Sequence, residues 1–175
     1  MANITKQAST RFSIVKRSKG QSAVEKASYI SRSILVSEYD GQTYRPKYHE
    51  DLVHSEISLP QNAPREYADR ATLWNAVELS EKGQKSQLAR MLKASLPNEW
   101  SYELAEEVVR DYVQRNFVDK GMCADSVTVS CSKAVHKENK KTKLCSREGT
   151  GISACSFPAC RDGYKCLYVF VKWHF

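Results

Sequence analysis

The sequence predicts an α+β domain in which an antiparallel sheet carries helices packed on one face. Three observations predict it. Short β-prone runs alternate with amphipathic segments in the order β-α-β-β-α-β-α-β, an order that suits such a sheet. The helical segments open on recognisable capping residues. The 175 residues, with 41% hydrophobic and 27% charged side chains, are enough for one ordinary domain with a buried core.

Taken in order, Arg11–Lys16 (R-F-S-I-V-K) reads as a strand, and Lys16-Arg17-Ser18-Lys19-Gly20 as a basic turn. Ser22-Ala23-Val24-Glu25 fits the capping box S-x-x-E, so a helix is expected from Ala23 to about Arg32. On its wheel Ala23, Ala27 and Ile30 share a face, and Tyr29 lies roughly 130° away beside Ser22, Glu25 and Arg32. Asp40-Gly41 parts two β-prone pieces, Ile34–Tyr39 and Gln42–Tyr44, as in a hairpin. Val53–Leu59 reads as a strand, and Asn62–Tyr67, with Pro64, as a helical turn. Asp69 caps a helix from Arg70 to about Lys82, with Leu73, Trp74 and Val77 buried and Gly83 stopping it.

Gln87–Leu96 places Leu88, Leu92, Ala94 and Leu96 on one parity and reads as a strand ended by Pro97. Ser101 caps the next helix, whose apolar stripe is read as Leu104, Val108 and Tyr112 with Val109, Val113 and Phe117 beside it. Gly121 closes it, and Met122–Ser130 is β-prone. Cys166–Phe175 (C-L-Y-V-F-V-K-W-H-F) is apolar and β-prone; periodicity leaves open whether it pairs onto a sheet edge or stays an aggregation-prone end.

Charge and cysteine divide the chain. Residues 1–50 carry nine Lys/Arg against four Asp/Glu, residues 51–125 nine against thirteen, and residues 126–175 nine against three. A basic N-terminal segment can track a phosphate backbone. Cysteine is absent before Cys123, after which Cys131, Cys145, Cys155, Cys160 and Cys166 follow. Both shifts fall near residue 125, which gives a domain of residues 1–125 and a cysteine-rich basic tail of residues 126–175, its structure uncertain. No apolar run approaches the roughly 18–20 residues of a membrane helix, and Met1–Thr10 holds no apolar signal core.

Three stretches resemble the MobA/MobL conjugative relaxases in order and spacing: Arg11–Arg32, His54–Lys82 (H-S-E-I-S-L-P through V-E-L-S-E-K) and Gln87–Asp125 (Q-L-A-R-M-L-K-A-S-L-P-N-E-W through G-M-C-A-D). The resemblance implies a cytoplasmic protein that acts on single-stranded DNA at a transfer origin during plasmid mobilisation, with accessory mobilisation proteins as partners. It implies attack of a tyrosine hydroxyl on one strand, leaving a 5′-phosphotyrosine and a free 3′-hydroxyl. The nucleophile position falls on Tyr29, in Q-S-A-V-E-K-A-S-Y; Lys16, Arg17, Lys19 and Arg32 become phosphate-contact candidates. The complete family domain holds a divalent metal, Mg²⁺ or Mn²⁺, on a histidine cluster.

The sequence departs from that pattern after Asp125. The family continues into a strand of the form N-x-H-x-H, but no H-x-H pair occurs in this chain, whose histidines are His49, His54, His136 and His174. No metal ligands of the family type are therefore assigned. Lys93 stands where many relatives carry an acid. A change of reading frame near codon 125 accounts for the break; an inserted replacement is the alternative. The expected function is that of a relaxase domain that is catalytically incomplete. The alternatives are a non-catalytic single-strand-binding remnant and an inactive truncation product. Cys155, Cys160, Cys166 and His174 lack the tight knuckle of common zinc modules. His54 and Glu56 share a strand face, as a surface hydrogen bond or as a metal or base pair.

Overall fold

The computed structural model describes residues 10–47, 51–97, 99–131 and 164–173. Five strands form the main sheet: β1 (Thr10–Lys16), β4 (Leu52–Ser58), β5 (Gln87–Leu96), β6 (Met122–Cys131) and β7 (Tyr164–Trp173). Their order is β1-β5-β7-β6-β4, and each neighbouring pair is antiparallel. A small separate hairpin, β2 (Leu35–Val36) with β3 (Thr43–Tyr44), turns at Gly41, whose φ of 69° is the left-handed conformation that glycine tolerates.

Three helices follow their capping signals. In α1 (Ala23–Ser31) the Ser22 hydroxyl accepts from the Glu25 N–H at 3.0 Å. In α2 (Arg70–Ser80) the Asp69 carboxylate accepts from the Thr72 N–H at 2.8 Å. In α3 (Tyr102–Asn116) the Ser101 hydroxyl accepts from the Leu104 N–H at 3.2 Å. α2 stops at Ser80, short of the predicted Lys82.

The antiparallel α+β expectation holds, but the helices divide between the two faces of the sheet. Cys166, Tyr168 and Phe170 of β7 join the core beneath α1 and α2; Leu167 and Val169 join the core beneath α3. Strand alternation puts these sets on opposite faces. β5 shows the same division after a correction: a register irregularity against β1 near Lys16 moves Leu88 to the α1–α2 core, away from Leu92 and Leu96.

Two predictions for the tail are corrected by the same strand. Tyr164–Trp173 is neither an edge strand nor a loose end: it lies in the middle of the sheet, between β5 and β6. Residue 125 falls inside β6, so the composition break there is not a break in the sheet. The other tail cysteines and His174, considered above for zinc, lie outside the described residues.

The buried row of α3 is Ala105, Val109 and Val113. Leu104, Val108 and Tyr112, predicted as its stripe, remain 37–43% exposed. The apolar arc of this helix spans both rows, and the row that packs into the core is the one led by Ala105.

One buried polar cluster fixes α2 to β6. Asp125 is fully buried and receives a two-pronged contact from Arg70, Nε to Oδ2 at 2.7 Å and Nη2 to Oδ1 at 2.8 Å. The Trp74 indole N–H donates to the same carboxylate at 3.0 Å, and its ring packs on Phe170 with centroids 4.0 Å apart. Asp125→Ala leaves the buried Trp74 indole N–H without an acceptor and takes the carboxylate from Arg70, whose Nη2 keeps Ser55 Oγ at 2.6 Å. We expect it to lower the unfolding free energy by about 3 kcal/mol, read from the urea midpoint; a shift below about 0.5 kcal/mol contradicts this role.

Candidate nucleic-acid interface around Tyr29

Tyr29 occupies the last turn of α1. It is half-buried and its side chain packs against the core beneath the helix, a core that includes Ile30, Trp74 and Tyr168. The wheel places it off the apolar face; a long ring near a helix end nevertheless reaches back to the core edge. One turn earlier, Lys26 is buried, and desolvation pulls its ammonium below the usual lysine pKa against the opposing pull of Glu25.

Arg32 closes the helix in the left-handed conformation, φ 58°, which costs a non-glycine residue about 1–2 kcal/mol. Its side chain supplies the compensation. Nε and Nη2 contact the two Asp51 oxygens at 3.1 and 2.8 Å, Nη1 donates to the Tyr29 carbonyl, and the guanidinium lies 4.9 Å from the Tyr29 ring centre. Burial opposes the Arg32 charge. The Asp51 hydrogen bond and charge, with smaller contributions from the Tyr29 and Tyr168 phenols, outweigh burial and raise its pKa.

The other basic candidates have separate roles. Arg17 donates through Nη2 to the Glu78 and Glu81 carbonyls at 2.8 and 3.0 Å, and its guanidinium stacks 3.9 Å above Tyr39. It thereby caps the C-terminal end of α2. Glu78 completes the exchange: its buried carboxylate accepts from the Ala23 N–H, and from Val24 N–H at 3.4 Å, at the positive end of α1. Lys16 is half-buried and Lys19 exposed, and neither forms an ion pair among the described residues. The structure thus brings Arg32 to Tyr29, ties Arg17 to α2, and leaves Lys19 at the surface of the turn.

His54 and Glu56 do share a face of β4. His54 Nε2 lies 3.2 Å from Glu56 Oε2 and Nδ1 lies 3.5 Å from Glu106 Oε1, while Arg110 contacts the same two carboxylates at 3.2 and 2.9 Å. That guanidinium supplies the positive charge a metal would bring, and among the described residues no three His, Cys, Asp or Glu side chains are grouped to hold a metal ion. The family-type metal therefore has no fitting ligand set there; His49, His136 and His174 lie outside the described residues.

The sequence did not point to Asp51, Glu78 or Tyr168. Glu78 had a signal, since it follows Trp74 by four residues on the buried side of α2. Tyr168 had none, because it sits in the segment set apart from the family pattern. Lys93 of β5 extends its ammonium over the Tyr168 ring at 4.9 Å.

Residues 21–143 match the model of the MobA/MobL family. The chain belongs to the MobA/MobL family. The match passes residue 125, where the resemblance read from the sequence stops. This MobA/MobL chain is 38% identical over 125 residues to the conjugal transfer protein TraA of Rhizobium radiobacter, covering 66% of the chain and 11% of TraA. It is 33% identical over 110 residues to the probable mobilization protein MobA of Bifidobacterium longum, covering 63% and 20%. Mobilization protein MobL of Acidithiobacillus ferridurans is 31% identical over 111 residues, covering 63% and 29%. The matched part of the chain thus covers only 11–29% of the length of these relatives. A solved structure from work on the molecular basis of vancomycin resistance transfer in Staphylococcus aureus shares the fold, with a TM-score of 0.70 at 20% identity over 95% of this chain and 70% of that one.

The capping geometry separates structural from surface cations. Arg17→Ala is expected to destabilise the protein by about 1–3 kcal/mol, since two α2 carbonyls lose a charged donor. Lys19→Ala should stay within about 0.5 kcal/mol. Paired urea melts check both; equal effects contradict the assignment.

Proposed function

We propose that this MobA/MobL chain is a DNA-strand-transfer domain that has kept its nucleophile and lost part of its catalytic set. The observation that carries the reading is Tyr29, inside the family-matched region, at the end of α1 and against the Arg32 guanidinium. The partner is single-stranded DNA at a transfer origin, met in the cytoplasm together with accessory mobilisation proteins. No helix among the described residues is long and apolar enough to cross a membrane.

In the transfer reaction the Tyr29 phenol oxygen forms a bond to the scissile phosphorus as the bond to the 3′ oxygen breaks. The strand end becomes a 5′-phosphotyrosine, and the proton lost by the phenol is balanced by one gained on the 3′ oxygen. A phenol of ordinary pKa, about 10, is a weak nucleophile until that proton leaves. Arg32 places a positive charge beside the ring, where it offsets negative charge on an approaching phosphate. Asp51 holds that charge in position and partly neutralises it.

In a complete family domain a bound divalent metal ion would supply Lewis-acid polarisation of the phosphate. The sequence carries no H-x-H pair to hold it, so binding is expected to outlast chemistry in this chain. Incubated with origin-derived single strands and Mn²⁺ or Mg²⁺, the purified protein is expected to bind in a salt-dependent way and to give no covalent adduct on a denaturing gel. An adduct that disappears in Tyr29→Phe would contradict the loss of catalysis and make the chain a working relaxase. Absence of any salt-dependent binding would contradict the DNA-binding reading itself.

A further inference from the structure

The shared end of β4 and β6 forms a groove that the transfer chemistry does not use. The two strands are antiparallel, with Ser58 opposite Ala124. The chain leaving β4 at Leu59 therefore runs beside the chain entering β6 at Gly121. Gln114 of α3 and the short helical turn Val118–Lys120 complete the walls around a space of 430 Å³. Leu59, Pro60 and Val118 give it an apolar floor, and Gln61, Asn62, Gln114 and Asp119 supply polar groups. An apolar hollow with a few polar groups suits a flat heteroaromatic ring.

The polar groups narrow the chemistry. No lysine or arginine lines the groove, so it is not built for a phosphate. Asn62 stands at the head of the helical turn expected from the sequence, but that turn begins at Arg65 with Pro64 in the cap position and no side-chain cap bond. Neither Asn62 nor Gln61 makes a side-chain hydrogen bond among the described residues, and both are exposed. Gln114 Nε2 donates to Asp119 Oδ1 at 2.6 Å, which orients the carboxylate and leaves Oδ2 to accept. A carboxamide offers a donor and an acceptor side by side. That pair matches adenine, whose N6 amine donates and whose N7 accepts, whereas thymine has no exocyclic amine to give.

We propose that this groove receives an unpaired adenine of the DNA strand, with Asn62 making the two-point contact and Asp119 accepting the second N6 hydrogen. The inference rests on the DNA-binding reading above and adds a base-specific contact to it. Phosphate contacts such as those assigned near Tyr29 carry no sequence information, and a base contact does. Asp51, beside Arg32 at the Tyr29 end of β4, and Leu59, just past the other end, are about 25 Å apart along the strand, or about seven nucleotides at 3.4 Å each. A single bound strand therefore reaches both places.

The test uses the full chain and fluorescein-labelled homopolymers of deoxyadenylate, deoxythymidylate and deoxycytidylate, each about 20 nucleotides and longer than a typical single-strand site. Binding is read by anisotropy from about 50 to 200 mM salt. The unmodified protein is expected to bind oligodeoxyadenylate at least about five-fold more tightly than oligothymidylate, the lower end of what one two-point base contact contributes. Asn62→Ala and Asp119→Ala are expected to lose most of that preference and to keep wild-type affinity for oligothymidylate, which also shows that they fold. Neither should change the slope of log affinity against log salt, because no phosphate contact is lost. Gln84→Ala, an exposed carboxamide in the loop after α2, should leave affinity, preference and slope alone.

Equal affinity of the unmodified protein for adenylate and thymidylate, or a preference that survives both substitutions, would overturn the groove and leave DNA binding intact. Tighter binding of oligodeoxycytidylate than of oligodeoxyadenylate would overturn the assignment to adenine. Equal losses on adenylate and thymidylate in the alanine variants would mark a structural role and overturn the proposal as well. Failure of the unmodified protein to bind any of the three overturns both readings.

Discussion

Tyr164–Trp173 hydrogen-bonds to β5 on one side and to β6 on the other, in register with seven residues of the first and ten of the second. Without it those two strands would have open inner edges in the middle of the protein. A buried backbone group left without a partner costs about 1–3 kcal/mol, so the loss of two inner ladders is more than a small domain can absorb. The strand also serves both cores, because its alternating side chains fill the α1–α2 layer and the α3 layer in turn. The sheet, both helix layers and the polar cluster around Asp125 depend on this one segment.

The candidate site depends on it too. Phe170 packs under Trp74, which shares the Asp125 carboxylate with Arg70 and so sets the position of α2. α2 in turn holds α1 through Glu78 at its N-terminus, while Arg17 closes the C-terminal end of α2. Tyr168 lies in the core that receives the Tyr29 side chain and contributes to the electrostatic surroundings of Arg32. The nucleophile candidate is thus placed by a chain of contacts that begins in a strand nearly 140 residues later in the sequence.

Much of the local structure was legible because it is written in short-range chemistry. Ser22, Asp69 and Ser101 each cap the helix that follows, and Asp40-Gly41 turns the hairpin as its residue types require. Gln87–Leu96 is a strand over its full predicted length. What escaped was set by contacts between distant residues. Nothing within α3 says that Ala105, rather than Leu104, faces the sheet. Cys166–Phe175 carries the continuous apolar run of a strand buried on both faces, but nothing within it names β5 and β6 as the strands on either side. Arg32 and Arg17 read alike as basic residues, and only their partners, Asp51 and the end of α2, tell them apart.

The central claim is that residues past the composition break are an integral part of the sheet that supports Tyr29. Native-state amide hydrogen exchange tests it most directly. If Tyr164–Trp173 is the central strand, its amides exchange only through global opening, and Cys166–Val171 rank with the slowest amides of β5 and β6. Fast exchange across Cys166–Val171 while β5 and β6 stay protected would contradict the claim.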